Sequence, residues 1–223
     1  MNLEIKNKVI LVTGSSRGVG LGISKVLLNE GCKVIINGRN KSTLNKTIDN
    51  LKKSFEENIL EFNGDVNEPS SIDSLIKKIL NKWGRIDGIV LNAGSQRSVD
   101  NLNLTKEDWD WYFQNNFFTA FTSLQKMIPY ISKTKGSVVT IGSIAGMEDL
   151  AAPIPYAVTK SALLSYTKTL ARELSEKNIR VNMVSPGNIF FDGGNWHQKY
   201  KKNAKKIKNM LENKVPLNCF GDP

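Results

Sequence analysis

A tyrosine and a lysine lie four residues apart in the stretch 156–160, Tyr-Ala-Val-Thr-Lys. On a helix, this spacing places Tyr156 and Lys160 one turn apart on the same face. A free tyrosine has a pKa of about 10, and a nearby ammonium stabilises the phenolate and lowers that pKa. The pair therefore predicts an acid/base that moves a proton to or from an oxygen. The same spacing also fits one buried aromatic ring beside one lysine that reaches for solvent.

A serine precedes this pair in the stretch 141–146, Ile-Gly-Ser-Ile-Ala-Gly. Ser143 follows an apolar run that predicts a strand, and ligands of parallel α/β sheets bind at the carboxyl ends of the strands. A hydroxyl there can hydrogen-bond a substrate oxygen and orient it. Ser143 on its own would also fit a strand cap, but with Tyr156 and Lys160 it indicates chemistry at an oxygen.

Short apolar runs alternate with longer amphipathic stretches along the chain. The runs are 9–12, 33–36, 59–62, 86–91, 137–141 and 179–184, and the helical stretches include 19–29, 41–55, 70–83, 106–131 and 155–176. This alternation predicts an α/β fold with a doubly wound, Rossmann-like parallel sheet that is covered by helices on both faces. No repeat or linker divides the chain, so we expect a single domain over residues 1–223.

A glycine-rich turn follows the first run and precedes the first helical stretch. Residues 13–20 read Thr-Gly-Ser-Ser-Arg-Gly-Val-Gly. Glycines permit a tight turn and close backbone approach, which leaves the helix N-terminus free to receive a pyrophosphate. The turn therefore predicts a dinucleotide site whose candidate residues are Gly14, Ser16, Arg17, Gly18 and Gly20.

The spacing of this turn resembles the T-G-x-x-x-G-x-G motif of the short-chain dehydrogenase/reductase family. Further motifs occur in the family's order and approximate spacing, namely Asn92-Ala93-Gly94, Ser143, Tyr156 with Lys160, and Pro186-Gly187. The resemblance covers the whole chain and is broadest to members like the 3-oxoacyl-carrier-protein reductases. It implies an oxidoreductase that passes a hydride between a nicotinamide cofactor and a carbonyl or alcohol.

The charge at the end of the second run indicates which cofactor to expect. An NAD enzyme would place a carboxylate there to hold the ribose hydroxyl, whereas this chain has Asn37-Gly38-Arg39-Asn40. Arg39 and Arg17 would clamp a 2′-phosphate through charge-assisted hydrogen bonds, which favours NADP(H). Two solvated surface arginines are the alternative.

The resemblance also assigns roles to residues at the other strand ends. It implies adenine contacts for Asp65 and Val66, although a lone aspartate there also fits a helix cap. It places Asn92, Ala93 and Gly94 against the cofactor, Pro186 and Gly187 over the nicotinamide, and Ile189 at the carboxamide. Asn116 matches the family's helix asparagine, whose backbone carbonyl holds a water that connects the lysine to solvent, but the adjacent Asn115 leaves that register open.

The segment 188–214 departs from the family pattern and is expected to form a mobile helical substrate lid. It lacks the threonine that many relatives carry after the Pro-Gly turn, and Phe190, Phe191 and Trp196 would give it an apolar wall. Seven lysines follow between 199 and 214. They would attract an acidic or carrier-bound substrate, or they form a solvated helix face.

The stretch 215–223 resembles the residues that precede the family's final helix and strand. We therefore expect those two elements to be missing from this chain, which favours a homodimer over a tetramer. Such a dimer would form through the helices that contain Trp109 and Tyr156.

The composition limits which other classes of protein the chain could belong to. Hydrophobic content of 40% and charged content of 23% are ordinary for a globular protein, and no apolar run is long enough to span a membrane. Cys32 and Cys219 lack metal-ligand spacing and suit a reducing, cytoplasmic compartment. His197 is the only histidine, so no metal site is expected. The net charge of +10 reflects scattered lysines, and no nucleic-acid motif accompanies it.

Three functions are consistent with these features. The first is a carbonyl reductase of the family, in which Ser143, Tyr156 and Lys160 act on a small-molecule substrate. The second is a relative that binds NADP(H) or a partner without turnover. The third, a nucleic-acid-binding protein, rests on charge alone and predicts binding that falls steeply with salt.

Overall fold

Six parallel strands form one sheet in the computed structural model, which describes residues 3–223. The strand order is β3-β2-β1-β4-β5-β6. The strands are β1 (Val9–Val12), β2 (Lys33–Gly38), β3 (Ile59–Asn63), β4 (Gly88–Leu91), β5 (Ser137–Ile141) and β6 (Arg180–Val184). The order reverses between β1 and β4, so the carboxyl ends of these two strands flank the crevice in which doubly wound sheets bind ligands.

Eight α-helices connect and extend these strands in the described part of the chain. They are α1 (Gly18–Asn29), α2 (Lys41–Phe55), α3 (Pro69–Trp83), α4 (Lys106–Phe113), α5 (Thr119–Lys133), α6 (Ile154–Glu173), α7 (Asn195–Lys202) and α8 (Ala204–Lys214). Short 3-10 turns cover Glu56–Asn58, Ile144–Gly146 and Ser175–Lys177. None of the helices over residues 3–223 is long and apolar enough to cross a bilayer.

The apolar core has two layers, one on each face of the sheet. Leu28 of α1 and Leu44 of α2 pack with Val12 on one face, whereas α3, α5 and α6 cover the other face, where Leu11 and Leu124 are buried. Neighbouring residues of a strand point to opposite faces, which is why Leu11 and Val12 belong to different layers. The predicted doubly wound α/β fold is confirmed.

The stretch 106–131 is helical throughout, as predicted, but its hydrogen-bond ladder is not regular. A wide π-helical turn, Gln114–Phe118, separates α4 from α5. Inside it, the buried amide of Asn116 donates to the carbonyl oxygens of Tyr112 and Ser95. These side-chain bonds compete with the regular helix ladder at this point, and such wide turns are frequent at functional sites. Hydrophobic periodicity did not reveal this turn.

Other element bounds differ by a few residues from the sequence-based prediction. The strand expected over 86–91 begins at Gly88. Asp87 is buried ahead of it, where its carboxylate accepts the amide proton of Val9 at 2.9 Å and pairs with Arg85. The helix expected over 155–176 is regular from Ile154 to Glu173 and then tightens into a 3-10 turn.

The segment after β6 returns beside the last residues of the chain. Phe190 N donates to Gly221 O and Gly221 N donates to Asn188 O, each at 2.9 Å, which makes a short parallel bridge around Ile189. Between these two points lie α7 and α8, separated only by Asn203. The expected helical hairpin is therefore present, while its action as a lid remains a prediction.

Candidate active site

Two adjoining cavities lie along the carboxyl ends of the strands. The first, of about 310 Å³, runs from the glycine turn toward β3, and the second, of about 270 Å³, runs toward β6. They share Gly14, Arg17, Asn92, Gly94 and Ser95. Every residue that the sequence predicted for the site lines at least one of them except Gly18. They therefore form one long cleft centred on the glycine turn.

The glycine turn is shaped by positions at which no side chain fits. Gly14 has a φ of +63° and Gly18 a φ of +56°, values that side-chain-bearing residues rarely adopt. A Cβ on Gly20 would lie 2.5 Å from Asn92 Nδ2 and 2.7 Å from Gly14 O. The turn thus opens the N-terminus of α1 to the cleft, and this geometry fits the pyrophosphate of a dinucleotide.

Hydrogen bonds from neighbouring strand ends hold this turn in place. Asn92 Nδ2 donates to Thr13 O at 2.9 Å and to Gly14 O at 3.1 Å, so β4 is tied to β1. Asn37 is 2% exposed, and its Oδ1 accepts the amide proton of Gly14 at 3.1 Å. Ser15 Oγ in turn accepts the amide proton of Asn37 at 2.8 Å. No role was predicted for Asn37, although a polar residue near the end of an otherwise apolar buried strand indicated one.

The first cavity is bordered by the predicted phosphate-binding arginines. Arg17 and Arg39 both line it, together with Asp65 and Val66. Arg39 NH1 lies 3.4 Å from Asp65 Oδ2 and 3.4 Å from Asn115 Oδ1, and its side chain is 57% exposed. Arg39 therefore reaches across the mouth of the cavity, where it is accessible to an anion.

The second cavity brings Ser143, Tyr156 and Lys160 together. Ser143 lies two residues after the end of β5 and caps a 3-10 turn, where its Oγ accepts the amide proton of Ala145 at 3.2 Å. Tyr156 and Lys160 lie on the first turns of α6, and Lys160 Nζ is 5.9 Å from the centre of the Tyr156 ring. Pro186, Gly187 and Ile189 border the same cavity after β6.

Burial dominates the protonation of the two titratable groups in this cavity. Burial raises the pKa of Tyr156, and the adjacent Ser143 side chain acts in the opposite direction. Burial lowers the pKa of Lys160 from 10.5 to about 8, and Lys160 Nζ donates to Ile141 O at 2.8 Å. The pKa of Tyr156 is raised and not lowered as expected beside Lys160, because desolvation outweighs the opposing Ser143 hydrogen bond. At neutral pH the phenol therefore holds its proton.

The two adjacent asparagines of the wide turn face different cavities. Asn116 lines the second cavity with Tyr156, whereas Asn115 lines the first and faces Arg39. Asn116 Oδ1 accepts the amide proton of Ser95 at 3.1 Å, so the asparagine also positions the loop after β4. Of the two asparagines, Asn116 shares a cavity with Tyr156, and its role there stays a prediction.

The matches to known proteins agree with this arrangement. Residues 8–199 match the family model described as short chain dehydrogenase. An uncharacterised oxidoreductase of Bacillus subtilis is 34% identical over 194 residues, which are 86% of this chain and 73% of the relative. The 3-oxoacyl-(acyl-carrier-protein) reductase of Thermotoga maritima is 31% identical over 225 residues, which are 99% of this chain and 87% of the relative.

The chain belongs to the short-chain dehydrogenase family. Solved structures extend the likeness to the whole fold. L-sorbose reductase from Gluconobacter frateurii, in complex with NADPH and L-sorbose, has a TM-score of 0.92 at 28% identity, covering 100% of this chain and 88% of that one. NAD⁺-bound xylitol dehydrogenase has a TM-score of 0.89 at 25% identity, covering 98% and 88%. As a member of this family, the chain is an oxidoreductase that transfers a hydride between a nicotinamide cofactor and a carbonyl or alcohol substrate.

The lid segment of this short-chain dehydrogenase contacts the glycine turn directly. A Cβ on Gly18 would lie 2.6 Å from Phe191 Cζ, so the Phe191 ring lies over the turn, and Arg17 NH1 donates to Gly193 O at 3.4 Å. Phe191 and Trp196 line the second cavity. The third aromatic of the expected wall, Phe190, packs instead with Phe220 at 5.3 Å between ring centres.

Two further residues of the second cavity escaped the sequence analysis. Gln96 follows β4 and Asn195 begins α7, and Asn195 Nδ2 donates to Gln96 Oε1 at 2.7 Å. No motif or spacing signals this contact, because the two residues are 99 positions apart and meet only through the path of the lid.

Proposed function

We propose that this short-chain dehydrogenase uses NADP(H) to interconvert a carbonyl and an alcohol, with Tyr156 as the group that exchanges a proton with the substrate oxygen. The proposal is carried by one observation, which is that Ser143, Tyr156 and Lys160 line a single cavity next to the glycine turn. These three groups can act on one oxygen while the turn holds the dinucleotide.

Each side chain has a separate task in the reduction. NADPH, when bound, supplies the hydride for the carbonyl carbon. Ser143 donates a hydrogen bond to the carbonyl oxygen and orients it. Tyr156 gives its hydroxyl proton to that oxygen, so that an alcohol is formed and a phenolate remains. Lys160 stabilises the phenolate with its ammonium and binds the cofactor ribose, while Asn116 holds the water through which Tyr156 regains a proton.

The preference for NADP(H) rests on charge at the first cavity. Arg17 and Arg39 border the cavity in which the adenine ribose would lie, and no carboxylate ends β2. Asp65 and Val66 would contact the adenine. Pro186, Gly187 and Ile189 would contact the nicotinamide end. The NADPH complex of L-sorbose reductase supports this preference by similarity.

The assembly proposed for this chain is a homodimer through α4, α5 and α6. Several apolar side chains on and beside these helices are exposed, namely Phe118 at 38%, Val158 at 40% and Ile154 at 42%. Burial of this patch against a second copy would remove it from water. The cytoplasmic location expected from two unpaired cysteines also remains a prediction.

Replacement of the proposed proton donor tests this function. We expect Tyr156→Phe to lower kcat for NADPH-dependent reduction of a panel of ketones by at least about 100-fold, because a positioned general acid contributes on that order. NADPH binding, measured by fluorescence titration, should persist. The control is Tyr130→Phe, which removes a hydroxyl on α5 outside both cavities and should leave the rates unchanged. Equal rates for Tyr156→Phe and wild type would eliminate the proposed role.

A further inference from the structure

A side-chain amide pair spans the second cavity between two distant segments. The Asn195–Gln96 hydrogen bond joins the lid to the loop after β4, and both residues are half-buried. They line the same cavity as Ser143 and Tyr156. The pair is therefore placed to contact the part of a substrate that extends beyond its carbonyl group.

The pair retains unused hydrogen-bonding capacity. Gln96 Nε2 and Asn195 Oδ1 make no hydrogen bond to any other residue in the described range 3–223. An amide NH₂ donates and an amide oxygen accepts, whereas a hydroxyl does both at once. A substrate hydroxyl therefore matches the two groups together. An alkyl chain in the same place would leave both without a partner, which disfavours its binding.

The rest of the cavity lining limits the size and charge of the substrate. Among the described residues, its only cationic side chains are Arg17 and Lys160, and no Asp or Glu lines it. None of the lid lysines lines it either, so they lie outside the space around Tyr156. The volume of about 270 Å³ must also accept the nicotinamide end of the cofactor. What remains suits a short, neutral molecule.

We infer that the substrate is a small hydroxylated ketone, or the corresponding polyol in the reverse direction, and that Gln96 and Asn195 select it through a hydroxyl near the carbonyl group. This inference rests on the proposed carbonyl reduction. Gln96 and Asn195 are specificity-determining residues in that reaction, and Trp196 supplies the apolar part of the wall.

The experiment compares two four-carbon ketones, erythrulose and butanone. Erythrulose carries hydroxyls beside its carbonyl and is too short to close a five- or six-membered ring, so its ketone stays available. We expect kcat/KM for NADPH-dependent reduction to be higher for erythrulose by at least about 100-fold, because a site that pairs a hydroxyl rejects the analogue that lacks it. A wild-type preference for butanone, or for a 3-oxoacyl thioester, would overturn the inference.

Two substitutions distinguish residues that recognise the substrate from residues that only anchor the lid. Gln96→Met and Asn195→Leu keep the side-chain size but remove the amide, and we expect each to reduce the erythrulose-to-butanone ratio at least about 10-fold. A residue that only anchors the lid would lower both rates equally and leave the ratio unchanged, which would overturn the inference. The control is Asn213→Leu on α8, where the exposed side-chain amide bonds only Asn209 among residues 3–223 and its loss should preserve the ratio.

The outcomes also separate this inference from the proposed function. If wild type reduces ketones in a Tyr156-dependent manner but does not prefer erythrulose, the inference fails and the proposed function stands. If wild type reduces no ketone in the panel, or if Tyr156→Phe is fully active, the proposed function fails and the inference fails with it.

Discussion

The glycine turn and the lid border the same cleft, but they are held in place by different means. The turn is confined by backbone, because Gly14 and Gly18 have positive φ and Gly20 has no room for a Cβ. The lid is held by side chains that reach across from elsewhere, such as the Asn195–Gln96 bond and the packing of Phe190 on Phe220. A backbone constraint tolerates no substitution, whereas a side-chain contact can be exchanged for another.

This difference separates the two tasks of the site. The turn contacts a dinucleotide whose shape is the same for every substrate, so a fixed backbone suits it. The lid is the segment proposed to contact the substrate, which differs among members of one family, so exchangeable side chains suit it. The lesson is that specificity can change in the lid without any change in the turn.

The largest expected effect is on NADPH binding and comes from a substitution in the glycine turn. Gly20→Ala places a Cβ 2.5 Å from Asn92 Nδ2, and we expect NADPH binding to weaken about 100-fold as the turn shifts to relieve the overlap. Isothermal titration measures this change. The control is Gly84→Ala at the C-terminal end of α3, because among residues 3–223 no heavy atom outside its immediate chain neighbours lies within 4 Å of the Cβ position, so only local backbone strain at φ +70° is expected. If the two variants bind NADPH equally well, the turn is not confined as described.

The next largest expected effect is on the free energy of unfolding and concerns Lys160, which lines the second cavity. Burial lowers its pKa to about 8, so folding opposes its charge at pH 7, and this destabilisation disappears as pH rises from 8 toward 10.5. We expect Lys160→Met to raise the free energy of unfolding at pH 7 by about 2 kcal/mol, which is the desolvation penalty less the lost bond to Ile141. Urea unfolding at pH 7 and pH 10 measures it. A gain that is the same at both pH values would contradict this account.

Substitution of Arg39, at the exposed mouth of the first cavity, is expected to have a smaller effect on cofactor binding. Arg39→Ala should weaken NADPH binding about 10-fold and NADH binding much less, because the contact proposed for Arg39 is to the 2′-phosphate alone. Dissociation constants for the two cofactors give the answer. Arg172→Ala, which removes an exposed guanidinium paired with Glu173, serves as the control. Parallel losses for NADPH and NADH would show that Arg39 does not choose the cofactor.

The smallest effect on global stability is expected in the lid. Phe190→Ala removes a ring that packs on Phe220, His197 and Tyr200, and we expect the free energy of unfolding to fall by only about 1 kcal/mol. Amide hydrogen exchange in α7 should accelerate while the core strands keep their protection. Leu102→Ala, at a side chain that is 91% exposed, should change neither. If exchange accelerates equally in the sheet, the lid is not an independently held region.

Features that depend on residues close together in the chain were predicted correctly from the sequence. The glycine turn, the Asn92-Ala93-Gly94 stretch and the Tyr156–Lys160 spacing are local patterns, and each was placed at the correct strand end or helix. The alternation of apolar runs likewise predicted the sheet and its helices, because burial on both faces imposes that pattern.

Sequence reasoning failed where distant segments meet or where polar bonds override periodicity. The stretch 106–131 is helical as predicted, but its apolar periodicity did not reveal the wide turn at Gln114–Phe118, where Asn116 bonds Ser95 and Tyr112. The Gln96–Asn195 contact depends on how the lid folds back, which no local pattern encodes. Likewise, the pKa of Tyr156 depends on how deeply its ring is buried, and a four-residue spacing cannot convey that depth.

The wide turn between α4 and α5 determines which way the side chains of α5 point relative to those of α4, because the chain is helical from one to the other. Each residue added to a regular helix would rotate the side chains that follow it by about 100°, whereas a widened turn absorbs the added residue. Upstream of the turn, Tyr112 points into the body of the protein, and downstream Leu124, Met127 and Ile131 do the same. A π-helical turn takes up one residue more than an α-helical turn, so Tyr112 and Leu124 face the same side although 12 positions separate them, where about 11 would make three regular turns. The extra residue therefore lets Asn116 line the cleft while α5 stays seated on the sheet.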